Sequence, residues 1–386
     1  MRKILSLLFL ATALLLPNTG FAQDALPLAD EVSSAPVSYE RGRVIDIVST
    51  EREELMGYVS TTQTVLVEIV TGADDGAVKT IEYVINGPGF EAQELKRGNV
   101  VILSTYGAAP ETFYYIVDTY RLPSVMWLFF AFFALAVVLG GRRGFGAIVG
   151  LSLSILVLLF YVAPRIFAGD SPVFVSVIAA TCIMTVSLLF AHGFSKRSFV
   201  SLASTLLSLL LAFALAALAV FLTGVSGTGT EEAMYLKLSV LPDLNLQGLL
   251  LGAIVIGALG VLDDVTTAQV AAVEEIHRAN PKLSMGELYR RGLSVGREHI
   301  AALVNTLALA YVGASMPLFL LFSTPDSPPA WVIANGENIV EEILRALVGG
   351  MSLMLAVPIA TLLAAFLFGR GVVEAGEERA SHGHSH

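Results

Sequence analysis

A polytopic α-helical membrane protein, with about seven spans behind a signal peptide and a small N-terminal all-β domain, is the fold class this sequence predicts. Three observations point to it. The chain has 386 residues, 55% of them hydrophobic and only 15% charged, with a mean hydropathy of +0.73; soluble domains average about 45–50% apolar and about 25% charged residues. The excess is concentrated after Pro123, where several runs reach the roughly 20 apolar residues that a spanning helix needs. Before Pro123 the texture differs: short β-like runs alternate with turn residues.

Taken in order, the N-terminus reads as an address. Arg2 and Lys3 precede the apolar stretch Ile4–Leu16, and Gly20-Phe21-Ala22 supplies the small residues that signal peptidase needs, so cleavage is expected after Ala22. An uncleaved anchor is the alternative. No cysteine follows the site, which excludes lipoprotein processing. Residues 23–38 read as a flexible leader. Within 39–121 the candidate strands are Arg43–Val48, Thr64–Val70, Thr80–Ile85, Val100–Thr105 and Thr112–Val117. Val65, Val67 and Ile69 alternate with Leu66, Glu68 and Val70, as a strand with one buried face requires. Ala73-Asp74-Asp75-Gly76 predicts a hairpin turn, because Asp and Gly tolerate positive φ. Asn86-Gly87-Pro88-Gly89 breaks the chain again. Five short strands in about 80 residues suggest a small OB-like barrel or sandwich, expected to be extracytoplasmic. The net charge of −10 falls mostly in the first third of the chain, so no basic face for nucleic acid is indicated. A packed spacer or a module for a protein partner is the expectation for this domain.

After Leu122 seven spans are expected, to within a few residues: 123–140, 145–164, 172–192, 198–224, 246–267, 299–322 and 345–368. Length is the warrant, since helices that are apolar all round show little periodicity, and continuous helix is the default because backbone groups in lipid must bond internally. Together these form a bundle over 122–369 with a cytoplasmic loop at 270–298 and a cytoplasmic tail at 370–386. Basic residues set the orientation. Arg142, Arg143, Lys196, Arg197, Arg278, Lys282, Arg290, Arg291 and Arg297 fall in loops predicted inside, with Arg370 and Arg379 in the tail, against Arg121, Arg165, Lys237 and Arg345 outside. The mature N-terminus is therefore expected outside and the C-terminus inside the bacterial inner membrane. Cys182 is the only cysteine, so neither an intramolecular disulfide nor a cysteine zinc site exists. His382, His384 and His386 on a polar tail lack the fixed geometry of a metal site. No cofactor and no metal are expected.

The chemistry-bearing stretch is the fifth span and its extension. Gly248, Gly252, Gly257 and Gly260 offer small-residue spacings for close helix packing. Asp263 and Asp264 follow, then Thr266, Thr267, Gln269, Glu274 and Glu275. Carboxylates near membrane depth face a protein interior or an aqueous path rather than lipid. An offset of eleven residues returns to within about 20° of the same helical face, so Asp263 aligns with Glu274 and Asp264 with Glu275. Adjacent aspartates point about 100° apart; Asp264 is expected to face a cavity and Asp263 a neighbouring helix or loop. Aspartate, threonine and glutamine form an all-oxygen environment that suits hard cations or protons. Satisfaction by water or by the basic loop at the cytoplasmic interface is the plainer alternative.

Ser284–Leu293 is predicted to be a short amphipathic helix on the lipid surface, with Ser284 and Glu287 at capping-box spacing. In the sixth span Asn305 and Thr306 complete the candidate set, since Asn305 reaches Asp264 if the two spans pack antiparallel. An interhelical hydrogen bond alone is the plainer reading of Asn305. No catalytic fingerprint has supporting context, so no enzyme activity is expected.

GALGVLDDVTTAQ over 257–269, Asn280-Pro281, and GREHIAALVNTLALAYVGASMP over 296–317 together resemble the YibE/F-like family of bacterial multispan membrane proteins. The resemblance covers most of the membrane region. It implies the multispan topology, is compatible with the β-domain, and brings no settled catalytic or binding residues. The residues therefore predict a permease for a small solute or ion, built on Asp263, Asp264, Thr266, Thr267, Gln269, Asn305 and Thr306. The rival is a non-transporting envelope scaffold whose β-domain binds an extracytoplasmic protein partner while the bundle anchors it in the bilayer.

Overall fold

The computed structural model describes residues 38–55, 58–72, 74–86, 94–106, 113–314, 316–321 and 328–381. The expected signal peptide, nearly all of the leader, and His382, His384 and His386 lie outside the described residues. The described residues divide into two units, one ending at Leu135 and the other beginning at Ala136.

The first unit is a five-stranded antiparallel sheet in the order β3-β2-β1-β4-β5. Its strands are β1 (Ser38–Leu55), β2 (Tyr58–Ile69), β3 (Val78–Asn86), β4 (Val100–Tyr106) and β5 (Phe113–Thr119). All five expected strands are present, most of them longer than predicted. β1 pairs with both β2 and β4, and its register shifts between Val44 and Asp46 and between Ile47 and Ser49. Such bulges bend a strand and tighten its twist. The sheet curls until β3 and β5 approach one another, giving a half-barrel. Alternation decides which face turns inward: Val65, Val67 and Ile69 are fully buried with Val44, Val101 and Leu103, each contributing about 1.5–3 kcal/mol relative to exposure. Gly42 is required at the inside of the curl, where a Cβ would collide with Val67 and Leu103. The β2–β3 turn falls at the predicted residues, with Gly76 at φ 83 and its N–H donating to Ile69 O at 2.9 Å.

The helices follow. α1 spans Leu122–Val157 with a sharp bend at Gly141 (φ 55, ψ −135), which separates the first span from the second. A π-turn at Leu158–Val162 and α2 (Ala163–Phe167) finish the second span. α3 (Pro172–His192) and α4 (Lys196–Thr223) are next. The Ser195 hydroxyl accepts from Ser198 N–H to cap α4, and Gly224 ends it in the left-handed conformation. After α5 (Glu231–Tyr235) comes α6 (Leu246–Ala279), capped by Asn245 accepting from Gly248 N–H. α7 (Met285–Ala314), α8 (Met316–Leu321), α9 (Ala330–Ala334) and α10 (Glu337–Ser381) complete the chain. Helix therefore continues well past the expected end near residue 368.

Among the described residues, six helical stretches are long and apolar enough to cross a membrane: Leu122–Arg142, Gly144–Phe167, Pro172–Phe190, Lys196–Thr223, Leu246–Ala279 and Glu337–Gly369. The expected span 299–322 is not among them. Its helix is continuous with the predicted surface helix and carries Arg290, Arg291, Arg297 and Glu298, while Ser315 and residues 322–327, within and just after the expected span, lie outside the described residues. The Ser284–Glu287 capping box does form, the Ser284 hydroxyl donating to the Glu287 carboxylate at 2.9 Å. Beyond it, α7 is exposed along most of its length and buries one narrow face. Leu288 is fully buried, and Gly292 and Gly296 are buried with it. A Cβ on Gly296 would collide with Val357, and one on Gly292 would crowd Val273 and Thr361. The missing side chains let α7 wedge against α6 and α10.

Candidate functional site

α4, α6 and α10 each pack against the other two, and their common core is unusually polar. On α4, Ser201, Ser204, Thr205 and Ser208 are completely buried. Their spacing of three and four residues puts them on one face. α10 presents Ser352, Ala356, Ala360 and Ala364 at four-residue intervals, all at 0% exposure. Small side chains let the three backbones approach closely.

α6 supplies the facing groups. Thr266 is fully buried, and its hydroxyl meets the Thr205 hydroxyl at 2.6 Å. Each hydroxyl also has a backbone acceptor on its own helix, Ser201 O at 2.9 Å for Thr205 and Asp263 O at 3.2 Å for Thr266, so either can supply the proton between them. One turn away, Gln269 joins three helices: its amide donates to Gly292 O of α7 at 2.9 Å and to the Thr361 hydroxyl of α10 at 2.8 Å. Thr267 is 8% exposed and its hydroxyl oxygen is buried.

The two aspartates part company. Asp263 is half-buried, and its Oδ1 is enclosed with no hydrogen-bond donor among the described residues. Asp264, expected at the cavity, lies on an exposed face instead. Asp263 and Glu274 are both half-buried and Asp264 and Glu275 both exposed; farther along α6, Glu274 and Glu275 pair with Arg278 at 2.7 and 2.9 Å. α6 runs on to Ala279, so Asp263 stands midway along a 34-residue helix. Among the described residues no Lys or Arg forms an ion pair with Asp263. Asn305 and Thr306 are exposed on α7, with the Thr306 hydroxyl turned to Ala302 O at 3.0 Å; they do not join the buried layer.

Of the glycines singled out for packing, Gly252 lets α3 approach, since a Cβ there would overlap the Ser176 hydroxyl. Gly257 and Gly260 have nothing opposite them among the described residues. An apolar crevice between α7 and α10, lined by Ile300, Leu303, Leu307 and Leu353, contains neither aspartate.

Two features escaped the sequence reading. The hydroxyl face of α4 was hidden inside a run judged by length, although Ser201, Ser204 and Ser208 carry a helical spacing. The second is a clasp at the opposite end of the bundle. Glu337 Oε1 accepts from the N–H groups of Ser226 and Gly227 at 2.6 and 2.9 Å, and Glu341 Oε1 accepts from Gly229 N–H at 2.9 Å. Only the acidic residues opening α10 and the Gly-Thr repeat at 227–230 hinted at it, and their pairing is long-range.

Membrane-competent helices packed round a core of hydroxyls, an amide and a carboxylate define a multi-pass membrane protein. The match to the model of the YibE/F-like protein family runs over residues 128–370, and the chain belongs to that family. The match takes in the helices and leaves out the half-barrel. No curated protein and no solved structure matches the chain.

Proposed function

We propose that this protein is a non-enzymatic permease of the bacterial inner membrane that moves a small solute or ion along the polar core of its bundle. The observation that carries the reading is the enclosed Oδ1 of Asp263 on a helix that packs against a fully buried hydroxyl face. A carboxylate among membrane-spanning helices is costly, and such groups mark substrate or ion paths by default. The topology proposed with it has a cleaved signal peptide, an extracytoplasmic half-barrel, and α7 with α8 as a further crossing beyond the six long apolar helices. Seven crossings put the C-terminus in the cytoplasm and the loops bearing Arg142, Lys196 and Arg290 on the same side, as the basic residues favour. The full chain in proteoliposomes, assayed with a panel of ions and small solutes, is expected to show flux of at least one species above that of empty vesicles. Background flux across the panel would end the permease reading.

One observation favours a second role for the half-barrel. On β5, Phe113, Tyr115 and Val117 point outward at 57%, 59% and 54% exposure. An apolar row on an outer strand of a sheet is a ready docking surface. An extracytoplasmic protein partner is proposed there, alongside transport or in its place.

A further inference from the structure

Two enclosed oxygens on α6, Asp263 Oδ1 and Thr267 Oγ1, have no hydrogen-bond partner among the described residues. Thr267 is only 8% exposed. Four residues apart, the two side chains stand one turn from each other on one face of the helix. Buried polar atoms in folded proteins are normally paired, and exceptions ask for an explanation.

Helix register shows what surrounds this pair. A Cβ on Gly252 would overlap the Ser176 hydroxyl, and one on Gly248 would touch Val173 at 3.4 Å, so α3 runs parallel to α6. Asp263 lies eleven residues beyond Gly252 and within about 20° of the same face, turned towards α3. The Thr181 and Thr185 hydroxyls of α3 donate to Val177 O and Thr181 O of their own helix, at 2.9 and 2.7 Å. Met184 packs with Leu259 and Leu262. Ser201 and Ser208 on α4 also keep unpaired oxygens, but rotation about the Thr205–Thr266 contact turns them to the opposite side of the helix pair. The adjoining charge is Asp264, with Glu274 three turns on. The ionisable groups nearest in level on the helices packed against α6 are Cys182 and His192 on α3, Arg197 on α4, the exposed Arg297, Glu298 and His299 on α7, and Arg345 on α10. Among the described residues none of these forms an ion pair with Asp263.

We propose that Asp263 binds and releases the proton that drives the permease, with the Thr267 hydroxyl as hydrogen-bond partner of the protonated acid. This names the coupling ion of the permease reading and rests on it. An ionised carboxylate with an enclosed oxygen and no donor is costly. One proton taken from water makes a neutral acid whose O–H donates to Thr267 Oγ1, so a single bound ion gives both orphan oxygens a partner. Releasing that proton to water on the other side restores the carboxylate. A metal cation fits less well. Ca²⁺ and Mg²⁺ take about six or more oxygen ligands, whereas this face offers one carboxylate and one hydroxyl. Among the described residues no group of three His, Cys, Asp or Glu could hold a metal ion.

The test pairs infrared difference spectroscopy with flux, both on the purified full chain in lipid. Between about pH 9 and about pH 5, a range in which ordinary carboxyls stay ionised, acidification is expected to raise a protonated-carboxyl band. Asp263→Asn should remove that band, and Thr267→Val should move it, because the acid loses its acceptor. A wild-type difference spectrum matching that of Asp263→Asn overturns the proposal. If Asp263→Asn does not fold, Asp263→Glu decides: the longer acid must shift the band, and an unshifted band overturns the proposal equally. In proteoliposomes an imposed gradient of about one pH unit is expected to shift the distribution of the transported species by up to about tenfold per proton. Flux indifferent to the gradient overturns the coupling and leaves the permease reading standing. An Asp263 band with no flux of any species keeps the proton site and ends the permease reading.

Discussion

Gln269 shows what a single buried amide does for the bundle. Its two donated bonds tie α6 to α7 and α10, yet both acceptors keep other partners: Thr361 still donates to Val357 O at 2.7 Å, and the Gly292 carbonyl has its own helical bond. Interhelical hydrogen bonds in membranes average about 0.6 kcal/mol and reach about 1.7. Gln269→Leu is therefore expected to destabilise the protein by about 1–3 kcal/mol, read as a lower unfolding midpoint in detergent. In the half-barrel, titration sets the limits. Asp46 accepts from Arg97 and from Ile47 N–H, which holds its carboxyl below the usual range. The Tyr114 phenol is pushed up, first by burial and then by its hydrogen bond to Asp74 at 2.8 Å. A depressed carboxyl stabilises the fold above its unfolded value of about 3.9 and ceases to do so as pH falls through the lower folded value. A raised phenol stabilises below its unfolded value of about 10 and loses that contribution as pH climbs beyond it. Unfolding of the half-barrel, followed by near-ultraviolet circular dichroism, should be insensitive to these two groups between about pH 5 and pH 9. Asp46→Asn should flatten the acid side and Tyr114→Phe the alkaline side.

At the scale of elements, two sets of glycines make opposite predictions. Gly292 and Gly296 are buried where α7 meets α6 and α10, so Gly296→Ala forces Val357 aside and should cost about 1–3 kcal/mol. Gly257 on α6 has open space beside it, so Gly257→Ala should be neutral or gain up to about 1 kcal/mol from helix propensity. Paired unfolding midpoints of the two variants check this; equal losses would mean that something covers the Gly257 face. The contrast also shows which elements are legible in a sequence. Val65, Val67 and Ile69 reveal their strand because a period of two survives when one face is buried. Helix existence follows from apolar length, and so do the boundaries of α3 and α4. Length says nothing about facing, however. Gly257 and Gly260 looked like packing residues and are exposed, whereas Gly292 and Gly296 sat in a segment whose charges suggested a lipid surface. The candidate site was half visible. Thr266, Thr267 and Gln269 stood out beside two acids, but the serines opposite them belong to another helix, and only a tertiary contact reveals that Thr205 meets Thr266.

For the whole molecule, the account separates a half-barrel from a helical unit that matches the YibE/F-like family, and assigns transport to the second. Within that unit, α4, α6 and α10 form the mutually packed trio that holds the buried polar core. Pro358 lies inside α10 and cannot donate to the Met354 carbonyl, so this helix has a weakened point close to the trio's core. The most direct measurement compares flux by the wild type, Asp263→Asn and Asp264→Asn, reconstituted at equal density, for whichever species the wild type moves. Loss of at least about 90% of flux in Asp263→Asn, a tenfold effect worth about 1.4 kcal/mol, with most of it kept in Asp264→Asn, is the predicted result. Unchanged flux in Asp263→Asn, or a loss confined to Asp264→Asn, would contradict the placement of the path at Asp263.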